Sequence, residues 1–307
     1  MRKFIIKCGV FIITLLAFIM FGCFILDRKG YSDSAYKRFT SSESTSLIVG
    51  SSRAAQGIVP EYINESFDGT QYSLPIYNFS FNVFGTPFGE YYLSQIQGRI
   101  KNGVFNNKGL FIVSVDPFVL AEDEIWDAGK MREKKSDLTD FRPFYKPNFR
   151  YMLKKCRPSE WVGKRIDNLQ DDGWLKVEFQ YIDDTLIVRN NIDLKIKDYR
   201  ERKLKKSEYR KYWLYQTIEL FKSHGEVYLC RIPVSKEMKA IEDALWADFD
   251  KDMRTTSQEL SVPYFSFIDD CGMYRTTDGN HLYYEDGIKF TKALVDSIKY
   301  CKQLPEE

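Results

Sequence analysis

Five short apolar runs, at 47–49, 76–79, 110–115, 227–232 and 264–267, constrain the fold of this chain more than any other feature. They are rich in Ile, Val, Phe and Tyr and show little polar alternation. A strand with one face in water alternates apolar and polar residues, whereas a parallel strand covered on both faces is apolar throughout. Helical spacing separates several of the runs. Leu214, Ile218 and Phe221 share a face, as do Met238, Ile241 and Leu245, and Phe290, Leu294 and Ile298. Strands alternating with helices predict an α/β domain with a mainly parallel sheet flanked by helices. With 44% hydrophobic and 16% aromatic residues in 307, the chain has ample material for such a core.

The N-terminus reads differently. Residues 4–26 are apolar apart from Lys7, and about 23 helical residues at ~1.5 Å each span a bilayer core of ~30 Å. A cleaved signal peptide is the rival, but the run is long and no small-x-small cleavage site follows it. The "MFGC" ending at Cys23 has large residues before its glycine and an apolar "FIL" after it, which argues against lipoprotein acylation. The expected organisation is an uncleaved signal anchor at 1–26, a polar linker at 27–44 and a globular domain at 45–307. Lys and Arg flank the anchor on both sides, so the positive-inside count leaves its orientation open.

The block at 119–206 breaks the strand–helix rhythm. It is dense in charge and aromatics, with weak periodicity, and is expected to be an insertion over one end of the sheet. A solvated excursion with its own small core and a cap carrying substrate contacts are both open, and the cap is slightly favoured. The net charge is +2, from 45 basic and 43 acidic residues, which gives no electrostatic case for a nucleic-acid partner. Cys156, Cys230, Cys271 and Cys301 form no CxxC or Cys/His cluster, so no structural zinc is expected, and Cys230 reads as buried core.

The chemistry-bearing residues stand near the two ends of the domain. The first apolar run stops abruptly at Gly50-Ser51-Ser52-Arg53, read as a strand running into a tight turn and a helix start. A serine there can attack an ester while its own N–H stabilises the oxyanion, or can simply cap the helix. Near the other end, Asp278-Gly279-Asn280-His281 places a carboxylate three residues before one of the chain's two histidines. The other, His224, lies at a helix end in "KSHG" and reads as a C-terminal cap. In a parallel α/β sheet, loops at the C-terminal strand ends line the ligand crevice, so the loops of Ser52 and His281 are expected to open on the same edge. Ser51 is expected to be turn structure, and Arg53 either to contact an anionic substrate or, as the favoured reading, to pair with a surface carboxylate.

Gly50-Ser51-Ser52-Arg53 and Asp278-Gly279-Asn280-His281 resemble the first and last blocks of the SGNH/GDSL hydrolases, Gly-x-Ser and Asp-x-x-His. The likeness extends over 45–117 and 208–303 and leaves the insertion uncovered. It implies an SGNH-like three-layer sandwich with Ser52 as nucleophile, His281 as general base and Asp278 as the carboxylate orienting it. It further implies an oxyanion hole of Ser52 with Asn82 and Gly85 from the second block, although Asn78 also stands there. The third block departs from the pattern. "FIVSVDPF" puts Asp116 near the usual asparagine, and an ionised carboxylate cannot donate and repels an oxyanion. Either Asn82 or another group substitutes, or activity is weak, or the site is dead.

Relatives with such a third block and an N-terminal anchor resemble extracytoplasmic proteins that acylate or deacylate cell-envelope glycans, often beside a multi-spanning membrane acyltransferase. The expectation is therefore a membrane-anchored enzyme, its globular domain extracytoplasmic, that transfers or removes a small acyl group, acetyl foremost, on an envelope polysaccharide. No metal or organic cofactor is implied. A non-catalytic glycan-binding or complex-organising scaffold and a phospholipid or lysophospholipid esterase are the rivals.

Overall fold

The computed structural model describes residues 1–29, 38, 41–81, 88–101, 108–123 and 169–303. They belong to two units. In the first, helix α1 (Arg2–Lys29) contains a stretch of 24 residues, Arg2–Ile25, long and apolar enough to cross a membrane.

The second unit is α/β. Its strands among the described residues are β1 (Ser46–Val49), β2 (Ile76–Asn78), β3 (Gly109–Ser114), β4 (Ala121–Asp123), β5 (Leu204–Lys206), β6 (Gly225–Arg231) and β7 (Tyr264–Ser266). Its helices are α2 (Ser52–Gly57), α3 (Pro60–Ser66), α4 (Glu90–Gln97), α5 (Thr185–Glu201), α6 (Glu208–Lys222), α7 (Lys236–Leu245), α8 (Phe249–Leu260) and α9 (Tyr284–Gln303). All five apolar runs form strands of one parallel sheet in the order β2–β1–β3–β6–β7. The central strand β3 is buried at every position, which is why its sequence does not alternate.

Side chains of successive strand residues point to opposite faces of the sheet. On one face Ile48, Ile76, Leu110, Ile112 and Cys230 pack with Ala54, Ile63, Phe290, Leu294 and Ile298, from α2, α3 and α9. On the other, Phe111 stacks on Phe221 of α6 with ring centroids 4.3 Å apart, and α4 and α8 lie beside α6. The apolar faces expected in α6 and α9 are both buried. In α7 the face differs from expectation: Met238 is buried, Ile241 and Leu245 only partly, and Glu242 is fully enclosed.

The chain runs outward from β1 to β2, then crosses back to β3, so the strand order reverses between β1 and β3. At such a switch point the loops leaving the carboxyl ends of adjacent strands diverge and open a crevice. Between β3 and β6 the chain leaves the sheet through β4 and returns through β5, which pairs antiparallel with β4. The aromatic and basic stretch 141–165 lies outside the described residues.

Residues 172–175 lie along the start of the domain. Leu175 N–H donates to Ala55 O (2.8 Å), Trp174 Nε1–H to Gln56 O (2.9 Å), and Asp172 O accepts from Asn78 N–H (2.9 Å). Gly173 makes that approach feasible. Its φ is +87°, and a Cβ there would stand 2.2 Å from the Asn78 carbonyl oxygen. Gly173→Ala is expected to destabilise the fold by about 1–3 kcal/mol through overpacking, before backbone strain is counted. A thermal midpoint lowered by several degrees in full-length protein would register it, and an unchanged midpoint would show that the turn has room.

Candidate active site

β1 ends at the switch point, and the chain must turn sharply into α2. Gly50 permits this with a φ of +152°, where a Cβ would meet Ser114 Cβ at 2.8 Å. Ser51 caps the helix: its Oγ accepts from Arg53 N–H (3.3 Å) and donates to Asp116 Oδ2 (3.3 Å). Ser52, the first helical residue, is thereby left facing the crevice with its Oγ 2.8 Å from His281 Nε2.

His281 comes from the loop after β7, and that loop is built around Asp278. Asp278 Oδ1 accepts the N–H groups of Asn280 (3.0 Å) and His281 (2.9 Å), and Gly279 takes a φ of +80° to close the turn. The same carboxylate meets His281 Nδ1 at 2.9 and 3.1 Å. Burial alone would raise the Asp278 carboxyl. The hydrogen bond and charge of His281, Lys195 at 3.6 Å and the Asn280 N–H outweigh it and hold the group well below the usual carboxylate range. An ionised Asp278 only accepts, so it holds the proton on Nδ1, whose N–H donates to it, and leaves the Nε2 lone pair for the Ser52 hydroxyl.

The structure thus brings Ser52, His281 and Asp278 into one hydrogen-bonded line. Asn82 and Gly85 lie outside the described residues. The Ser52 backbone N–H has no acceptor among the described residues. Asn78 is fully buried and committed elsewhere: its Nδ2 donates to Ala54 O (2.9 Å) and Ile58 O (3.0 Å), tying α2 to β2.

Arg53 departs from expectation. It is 2% exposed and lies behind the site, not on the surface. Its Nε and Nη2 donate to Asn280 Oδ1 at 2.9 and 2.6 Å, and its Nη1 is hydrogen-bonded to Glu242 and lies 3.8 Å from Asp116. Burial would lower the guanidinium's pKa, but the charges of Glu242 and Asp116 outweigh it and raise it instead. Glu242 is shared with Arg231, which also pairs with Asp250, so buried charges of alternating sign run from the surface to the rear of the site.

Asp116 is part of this network. Its Oδ1 accepts from Phe118 N–H (2.9 Å) and Val119 N–H (3.1 Å), while Oδ2 takes the Ser51 hydroxyl and faces Arg53. Its charge is compensated, and it serves the turn from β3 toward β4. Asn280 and Glu242 were not singled out in the sequence. Glu242 stands four residues after Met238, so it shares the buried side of α7, but nothing in the sequence joins it to Arg53.

Helix α5 closes one side. Lys195 reaches Asp278, and Tyr199, 6% exposed, packs on Phe118 with ring centroids 4.3 Å apart. No family model matches the chain, and no curated protein matches it.

Among the described residues no group of three or more His, Cys, Asp or Glu side chains is arranged to hold a metal ion. Cys8, Cys23, Cys230, Cys271 and Cys301 are free, and burial pushes the Cys230 thiol up to about 12. Cys156 lies outside the described residues. His224 sits at the end of α6 with its Nδ1 2.9 Å from Leu220 O, a helix-terminal contact remote from the chemistry above.

Proposed function

We propose that this protein is an SGNH-like serine enzyme, anchored in a membrane by α1, that moves a small acyl group onto or off a cell-envelope polysaccharide. The observation that carries the reading is the Ser52–His281 hydrogen bond of 2.8 Å, continued at 2.9 Å to Asp278. Ser52 Oγ adds to the carbonyl carbon of an acyl donor while its proton passes to His281 Nε2. Asp278 stabilises the imidazolium through Nδ1. Collapse of the tetrahedral intermediate breaks the bond to the donor oxygen, which takes the Nε2 proton and leaves acyl-Ser52. A sugar hydroxyl or water then attacks, with His281 again the base, and Ser52 is regenerated.

Water exclusion decides between transfer and hydrolysis. Lys195 and Tyr199 on α5 support a cap over the triad, and aromatic side chains suit a glycan acceptor. The anchor supports an extracytoplasmic domain working beside a membrane acyltransferase that supplies the acyl group. The chemistry uses this chain's own side chains and calls on no cofactor. A non-catalytic scaffold is the reading favoured by one specific observation, Asp116 at the position of the expected oxyanion donor.

The test is intact-mass measurement of detergent-solubilised full-length protein after fluorophosphonate treatment. One adduct on the wild type, lost in Ser52→Ala and in His281→Ala, is the expected result. A folded wild-type protein that stays unmodified would overturn the acyl-serine reading and favour the scaffold.

A further inference from the structure

With Asp116 engaged by Ser51, Arg53 and two backbone N–H groups, the site needs another side-chain donor for the charge that develops on a reacting carbonyl oxygen. We infer that the Asn280 amide is that donor and that Arg53 is the positioning residue that aims it. The inference rests on the acyl-serine reading above.

Asn280 is 3% exposed, and Arg53 decides which way its amide faces. Arg53 has only donors, and two of them point at one Asn280 atom, at 2.9 and 2.6 Å. That atom must be the carbonyl Oδ1, because the NH2 group cannot accept. Nδ2 is therefore turned the other way, to within 3.3 Å of His281 Nε2. A flipped amide would set NH2 against guanidinium in a buried space. The charges of Glu242 and Asp116 hold Arg53 in turn.

The resting contacts set up a change of partner. Nε2 has one lone pair, and two donors face it: the Ser52 hydroxyl at 2.8 Å and the Asn280 NH2 at 3.3 Å. The Ser52 oxygen and the Asn280 amide thus border the same small volume, which an incoming carbonyl must enter. The second Asn280 N–H has no acceptor among the described residues. When Ser52 adds to the carbonyl, its Oγ–C bond forms, the carbonyl π pair moves onto oxygen, and the hydroxyl proton passes to Nε2. Nε2–H is then a donor, and the Asn280 NH2 loses its acceptor there. Arg53 prevents the amide from turning its oxygen toward the imidazolium. The NH2 group can satisfy itself only on the oxyanion formed in the same step. An interaction weak before addition and strong after it is the kind that accelerates a reaction.

Asn280→Asp is the sharpest test. It keeps the shape and the pairing with Arg53 but replaces the donor by an acceptor, and Asn280→Ala serves as a second variant. Full-length proteins in detergent are compared by unfolding midpoint, fluorophosphonate labelling, and kcat and KM for p-nitrophenyl acetate and its thionoacetate counterpart. Sulfur accepts hydrogen bonds poorly, so an oxyanion donor favours the oxo ester over the thiono ester.

The expected result is a folded variant with kcat lowered about 10²- to 10³-fold, nearly unchanged KM and a reduced oxo-to-thiono preference. An unchanged kcat overturns the inference. So does a lowered kcat with the preference intact, since Asn280 would then only position His281. A wild type that neither labels nor hydrolyses the ester removes the acyl-serine reading and this inference together. A wild type that labels normally beside an unaffected variant removes the inference alone.

Discussion

Arg53→Met is expected to lower the free energy of unfolding by about 3–5 kcal/mol, the penalty typical of breaking a buried ion pair from one side. Methionine fills much of the volume, so the loss comes from charge. Glu242, 0% exposed, and Asp116, 2% exposed, would lose the guanidinium between them, and Asn280 would lose both of its Oδ1 donors. Adding Glu242→Gln should restore part of the loss, because it removes one stranded carboxylate and leaves Arg231 its pairing with Asp250. Denaturant unfolding followed by circular dichroism measures both variants. A single variant within about 1 kcal/mol of wild type would mean that the enclosed carboxylates find protons or water instead.

The second large effect falls on the proposed chemistry. Asp278→Asn should lower kcat about 10⁴-fold with the site geometry nearly intact, because an amide can donate to Nδ1 and so select the wrong imidazole tautomer. The same substitution carries a pH signature. The native Asp278 carboxyl is held below its ordinary value of 3.8, so its stabilisation is complete above that value. It is lost as the pH falls from there through the lowered native value. The stability gap between wild type and Asp278→Asn should therefore be widest near neutrality and narrow in acid. A gap that widens in acid would contradict the ionised carboxylate, and an unaltered kcat would contradict its catalytic role.

The five strands were legible because each is apolar on both faces, a pattern that only a covered parallel sheet demands. Ser52, Asp278 and His281 were legible for a local reason. A glycine turn marks where β1 must end, and Asp278 organises the loop that carries His281 through N–H groups two and three residues away. Arg53 was not legible as a buried residue. Its partners Asn280 and Glu242 lie 227 and 189 residues farther along, and no spacing rule reaches that far. Glu242 hid within an amphipathic pattern that fits a helix rotated slightly from the true one. The β4–β5 ribbon escaped notice because its strands, Ala121-Glu122-Asp123 and Leu204-Lys205-Lys206, are mostly charged and carry no apolar run to register.

The packing of α9 against α2 and α3 has a consequence for how the protein is made. Gly287 approaches Gly57 so closely that a Cβ on it would lie 3.3 Å from the Gly57 Cα, so one of the last helices to be synthesised closes against the first of the α/β unit. Contacts between such distant parts of a chain are slow to form and late to reward the entropy lost in closing them. During translation, the serine leaves the ribosome long before its histidine exists. A nascent or C-terminally truncated chain therefore holds β1 and α2 without the element that completes the site, so under the proposed chemistry the reactivity of Ser52 becomes a readout of finished folding.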